Sequence, residues 1–160
     1  GLVSTGIHML DLFCYLTNQY TYDLKFINGK ILNGKHDGYL ELDGNMLVTN
    51  KNDDSMLIRK SDSKIHHNCS IKINDDIITI KHTSENGDDS WENPICILQH
   101  TEDETFPFLW QSELTHLYVE DIINTENCKL PTLKESFFVH MELINKINIH
   151  RGEFNRCPIT

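Results

Sequence analysis

His8 stands two residues after Gly6 and directly ahead of an apolar run, Met9-Leu10-Asp11-Leu12-Phe13-Cys14-Tyr15-Leu16. A neutral imidazole takes or gives a proton near neutral pH, so a histidine where a helix opens is a candidate acid or base. Gly6 can adopt backbone angles closed to other residues, which predicts a sharp turn into the helix with Ser4 and Thr5 free to cap it. His8 then falls in the first helical turn, beside unpaired backbone N–H groups that favour the neutral ring. Ser4 and Thr5 carry hydroxyls able to bond a substrate hydroxyl, although Ser or Thr before a helix serves more often as its cap. Asp11, three residues beyond His8 on roughly the same face, can fix an imidazole tautomer or bond backbone at a domain junction, and structural service is its commoner role.

Two other groupings bear on chemistry. His66-His67-Asn68-Cys69 holds zinc-type ligands, but adjacent side chains of a strand point to opposite faces. Only His67 and Cys69 would share a face, and without a second pair they make no metal site; His82 and His100, at strand ends, could complete one only by accident of folding. Trp91, Phe106, Phe108 and Trp110 lie around a loop-to-helix junction. Phe108 and Trp110 read as core, while Trp91, beside an acidic loop, is the candidate to stack on a sugar ring or a base.

The elements that must position these residues fit one domain of 160 residues, long enough to bury roughly two-thirds of its unfolded surface. Five widely spaced cysteines form no C-x-x-C pair, which points to a reduced, cytoplasmic protein without a disulfide framework. No apolar stretch is long enough for a membrane span and no signal segment opens the chain. A net charge of −10, with basic residues scattered at Lys25, Lys60, Lys72, Lys129 and Lys146, argues against nucleic acid as a partner.

Apolar residues of helical period predict a helix over 7–17. Between 21 and 100 the period falls to two, and turn residues divide strands near 22–28, 38–43, 45–50, 55–61, 64–73, 77–83 and 94–100. Asp43-Gly44-Asn45 reads as a hairpin turn, and Ser70 to Ile80 as a second hairpin with Ile71, Ile73, Ile78 and Ile80 as core. Residues 83–90 have no apolar anchor and read as a mobile loop, and Glu102-Asp103-Glu104 as solvated surface. A helix follows over 109–124, then another over 133–148, started by a capping box with Thr132 as N-cap and Glu135 three residues on. The expected fold class is α+β: an open, predominantly antiparallel sheet with helices on one face. Leu40, Leu42, Leu47, Ile71 and Ile73 would then need cover on the other face, and self-association is one answer.

The pattern G-x-H-x-x-D running into an apolar helix, the sheet after it and the closing helix pair joined by a short segment ending in Leu130-Pro131-Thr132 resemble the C-terminal, substrate-side domain of the Gfo/Idh/MocA oxidoreductases. In that family the motif usually reads D-x-G-x-H-x-x-D. By position His8, Gly6 and Asp11 match the family residues, while Ser4 replaces the first aspartate, an uncharged polar substitution similar to the sugar-nucleotide 3-dehydrogenase branch. The resemblance covers nearly the whole chain. It implies oxidation of a secondary alcohol of a sugar, cyclitol or sugar nucleotide, or reduction of the ketone, with NAD or NADP held by an N-terminal Rossmann domain. It also implies homodimers formed by sheets packed face to face. This chain has no G-x-G-x-x-G after a strand and no E-K-P segment to supply the family lysine, so the fragment alone is expected to hold no dinucleotide and to be inactive. His8 is the catalytic candidate, and Ser4, Thr5, Asp11 and Trp91 are the substrate-binding candidates. The alternative is a non-catalytic binding or assembly module of the same fold.

Overall fold

The computed structural model describes residues 2–33, 40–60, 67–84, 94–107, 109, 111–127 and 130–152. Its elements in order are α1 (Leu2–Thr17), β1 (Asp23–Asn33), β2 (Leu40–Thr49), β3 (Ser55–Lys60), β4 (His67–Ile73), β5 (Asp76–Ser84), β6 (Pro94–Gln99), β7 (Asp103–Pro107), α2 (Gln111–Thr125) and α3 (Leu133–Arg151). The seven strands form one open sheet in sequence order, each antiparallel to the next. The fold is therefore α+β with an open antiparallel sheet.

Strand registers explain where the core lies. Phe26, Met46, Ile58, Cys69, Ile80 and Leu98 form one cross-strand row, and Leu24, Val48, Met56, Ile71 and Ile78 the next. Both rows point to the face covered by α1, which buries Leu2, Leu10, Phe13 and Cys14 against them. Full burial of such side chains contributes about 1.5–3 kcal/mol each. α3 adds Val139, Leu143 and Ile147, spaced four apart on one helical face. The Tyr22 hydroxyl donates to the Val139 carbonyl at 2.6 Å, tying the segment after α1 to α3. Thr132 caps α3 through the expected box with Glu135. At the far end Gly152, left-handed at φ 72°, closes the helix.

Polar groups fix the turns at one end of the sheet. Asp54 is buried, and its carboxylate accepts from Asn50 Nδ2 at 2.9 Å and from the Asn74 amide at 3.0 Å. One side chain thus joins the β2–β3 turn to the β4–β5 turn, where Asp53 and Asn74 take left-handed angles.

Several sequence expectations change. Asp43-Gly44-Asn45 makes no hairpin: β2 runs straight through it, and Gly44, at φ 122°, faces an irregularity in β1 between Ile27 and Lys30. A Cβ at Gly44 would come within 3.0 Å of the Ile27 and Asn28 carbonyl oxygens, so the glycine permits a bulge and not a turn. The acidic run at Glu102-Asp103-Glu104 leads into an exposed, charged edge strand, β7, a common way to discourage edge-to-edge pairing. α2 forms as expected, yet among the described residues it lies against no other element, leaving Leu117, Ile122 and Ile123 exposed.

The far face of the sheet is also less apolar than expected. Leu42, Ile71 and Ile73 belong to the helix-covered core, leaving Leu47 as the open-face member of that set among the described side chains. Around Leu47 the open face carries half-buried Ile27, Leu57, Ile95 and Ile97, interspersed with Lys25, Arg59, Lys72, Lys81, Ser70 and Thr79. Residues 85–93, which hold most of the expected mobile loop together with Trp91, lie outside the described set, as do Phe108 and Trp110.

Candidate functional site

α1 begins at Leu2, so Ser4, Thr5 and Gly6 are inside the helix and none precedes it as a cap. His8 is therefore beyond the first turn, and its proximity to unpaired amides does not arise. Gly6 keeps helical angles. Its missing side chain serves close approach instead, because a Cβ there would lie 2.8 Å from Met46 Cε and 3.6 Å from Ile58 Cδ1. The glycine lets α1 settle onto β2 and β3, which sets the depth of every other residue on the helix.

The orientation of His8 follows from that seating. Gly6 and Leu10, each two positions away and thus about 200° around the helix, face the sheet, so His8 projects from the outer side and is exposed. The side chains of Ser4 and Thr5 lie outside the described set.

Asp11 does not serve His8. The His140 Nε2–H on α3 donates to it, at 2.9 Å from Oδ2 and 3.1 Å from Oδ1. A carboxylate only accepts, which assigns the proton to that ring nitrogen. Both side chains are about two-thirds buried, with 26% exposure for Asp11 and 32% for His140, so the bond clasps α1 to α3 in a semi-dry setting.

Beside this clasp lies a cleft of about 380 Å³ between α1 and the start of α3. Leu12, Cys14, Leu130, Pro131 and Val139 give it apolar walls, and Asp11, Glu135, Ser136, Tyr15 and Tyr20 give it polar groups. Cys14 is no nucleophile here: burial, and then the Asp11 charge, push its thiol up to about 12. The Thr132 hydroxyl and then the Thr132 backbone amide hold the Glu135 carboxyl below its ordinary range, keeping it ionised. The Tyr20 hydroxyl is raised, first by partial desolvation and then by Glu135.

Of the candidates, then, the structure brings Asp11 into this cleft, places His8 on the same helix outside it, and leaves Trp91 undescribed. Sequence reading missed Tyr15, Tyr20, Glu135, Ser136 and His140 as site residues. The spacing 8, 11, 12, 15 marks one helical stripe and would have exposed Tyr15. His140 gave no signal, because its partner is 129 residues away.

His66 and the side chains of His67 and His82, on which the metal reading turned, lie outside the described set. Cys69 is buried with its thiol pushed up to about 12 by desolvation, and among the described residues no three His, Cys, Asp or Glu side chains converge. His100 instead stands 3.5 Å from Asp76 at the surface. Cys14, Cys69 and Cys96 are free thiols. No helix among the described residues is long and apolar enough to cross a membrane. Comparison with protein-family models, curated proteins and solved structures finds no match.

Proposed function

We propose that this chain is the substrate-side and dimerisation domain of an NAD(P)-dependent oxidoreductase similar to the Gfo/Idh/MocA enzymes, acting on a secondary alcohol of a sugar-like molecule. The observation that carries the reading is the placement of His8: exposed, and on the side of α1 turned away from the sheet. A second domain lying over that side would close a site between itself and α1. Exposed Tyr15, Leu133, Phe137 and Phe138 on the outer sides of α1 and α3 support such a cover, since large apolar side chains in that number are usually buried against a partner.

In this reading His8 orients the substrate hydroxyl and exchanges its proton, together with a lysine from the other domain. Asp11 and His140 hold α1 in register with α3 so that His8 meets the substrate at a fixed angle. Bound nicotinamide supplies the hydride chemistry, and its phosphates are held by the other domain, because nothing in this chain offers a glycine-rich turn between a strand and a helix. The open sheet face, with Ile27, Leu47, Leu57, Ile95 and Ile97, is the surface for a second copy. Free thiols at Cys14, Cys69 and Cys96, the cysteines among the described residues, suit a reducing, cytoplasmic setting.

One observation favours a second reading, a non-catalytic binding module of the same fold: the cleft between α1 and α3 does not include His8. Turnover separates the two. The chain joined to a cofactor domain should change nicotinamide absorbance with a member of a sugar and cyclitol panel, and His8→Ala should abolish that change while cofactor still binds. Bound cofactor without turnover on any panel member would leave the binding module.

A further inference from the structure

We infer that the cleft between α1 and α3 binds an amine-bearing ligand with an apolar or aromatic body; resting on the oxidoreductase reading, this makes the preferred substrate one with an amine-bearing end and not a phosphorylated or nucleotide-linked sugar.

Three features of the cleft select that chemistry. Its volume, about 380 Å³, lies in the range of small-molecule sites. Its walls pair an apolar floor of Leu12, Pro131 and Val139 with the rings of Tyr15 and Tyr20, an arrangement that takes a flat or aliphatic body and attracts a cation to the ring faces. Its charged lining groups are two carboxylates, Asp11 and Glu135, with no lysine or arginine among the described lining residues.

Neither carboxylate is used up by its internal bond. Both Thr132 bonds fall on Glu135 Oε2, and His140 offers Asp11 a single N–H shared between two oxygens. A carboxylate has about four acceptor positions, so each can still take an ammonium N–H. A phosphate or pyrophosphate would instead bring its own negative charge against both, with no cationic side chain among the described lining residues to receive it.

The cleft is also placed to extend the proposed site. His8, Asp11, Leu12 and Tyr15 follow the spacing of one helical stripe, and the rise of about 1.5 Å per residue sets Tyr15 roughly 10 Å along α1 from His8. A substrate whose reacting hydroxyl meets His8 would reach the cleft with a substituent one ring away.

Amide NMR shifts of the 160-residue chain provide the test, with three probes: phenethylamine, 3-phenylpropionate as a matched body of opposite charge, and UDP-glucose. Phenethylamine should give saturable shifts at residues 11–20 and 130–139. Tyr15→Ala, at an exposed position that the fold does not need, should weaken it about tenfold, and Asp11→Asn should weaken it as well. Absence of saturable shifts with the amine, equal or tighter binding of either anion, or an unchanged Tyr15→Ala titration would overturn the inference. The outcome is separable from that of the oxidoreductase reading: an inactive two-domain enzyme leaves the amine titration intact, and a failed titration leaves turnover of an uncharged sugar intact.

Discussion

The Asp11 carboxylate and the His140 imidazole meet at 2.9 Å and are the polar clasp between α1 and α3, two helices that also share the Phe13, Val139 and Leu143 core. A partly buried hydrogen bond of this kind contributes about 1 kcal/mol, more where one partner is charged. His140→Ala and Asp11→Asn should each lower stability by roughly 1–2 kcal/mol. The double variant should fall short of the sum by about 0.5–1.5 kcal/mol in urea unfolding. Full additivity would show that the two side chains are not coupled in solution.

Gly6 should tolerate little beyond a methyl group. In Gly6→Ala the added carbon meets the end of the flexible Met46 side chain at 2.8 Å, and the gain in helix propensity of about 1 kcal/mol offsets the shift that Met46 must make. Gly6→Leu has no such escape between β2 and β3 and should cost about 2–3 kcal/mol by overpacking. Thermal unfolding of the two variants distinguishes close approach from any need for special backbone angles.

Gly44→Ala should be the more damaging methyl. The left-handed φ of 122° and the 3.0 Å approach of two backbone oxygens leave a side chain no room to relax, so a loss of about 2 kcal/mol or more is expected. Hydrogen exchange should show the loss first along the β1–β2 ladder.

Stability should fall at both ends of the pH scale for separate reasons. Cys14 and Cys69 are raised from an ordinary 9.0 to about 12 by burial, so the stability tied to their neutral thiols is present below pH 9 and is lost as pH rises toward 12. Tyr22, also raised by burial, acts in the same direction. At the acid end Glu135 is held below its ordinary range by Thr132, so its contribution is present above the normal carboxylate range and disappears as pH drops through the lowered value. Thr132→Ala should destabilise α3 by about 1 kcal/mol at neutral pH and flatten that acid limb. Both thiols should also resist alkylation in the native state at pH 8 and react on unfolding.

Local patterns were legible in the sequence wherever neighbours along the chain decide the outcome. The Thr132–Glu135 capping box, the Asn74 turn and the alternation Ile71, Ile73, Ile78, Ile80 all form as their residue types require, because each depends on interactions within a few positions. A short signal with two structural solutions was not decidable this way. Asp43-Gly44-Asn45 supplies positive φ equally to a hairpin or to a bulge, and only the partner strand, with its own irregularity at Asn28, selects the bulge. The same holds for the candidate site. Sequence marked His8 and Asp11 as reactive types on one helix, but the helix starts earlier than its apolar run suggests, which removes the capping role of Ser4 and Thr5. What Asp11 touches, and that Tyr15, Tyr20 and Glu135 share a cleft with it, depended on α3 packing against α1 from the far end of the intervening sheet sequence. Side-chain type fixes what a residue can do; which partner it meets across 129 positions is set by how the helices settle on the sheet, a property of the whole core and not of any local stretch.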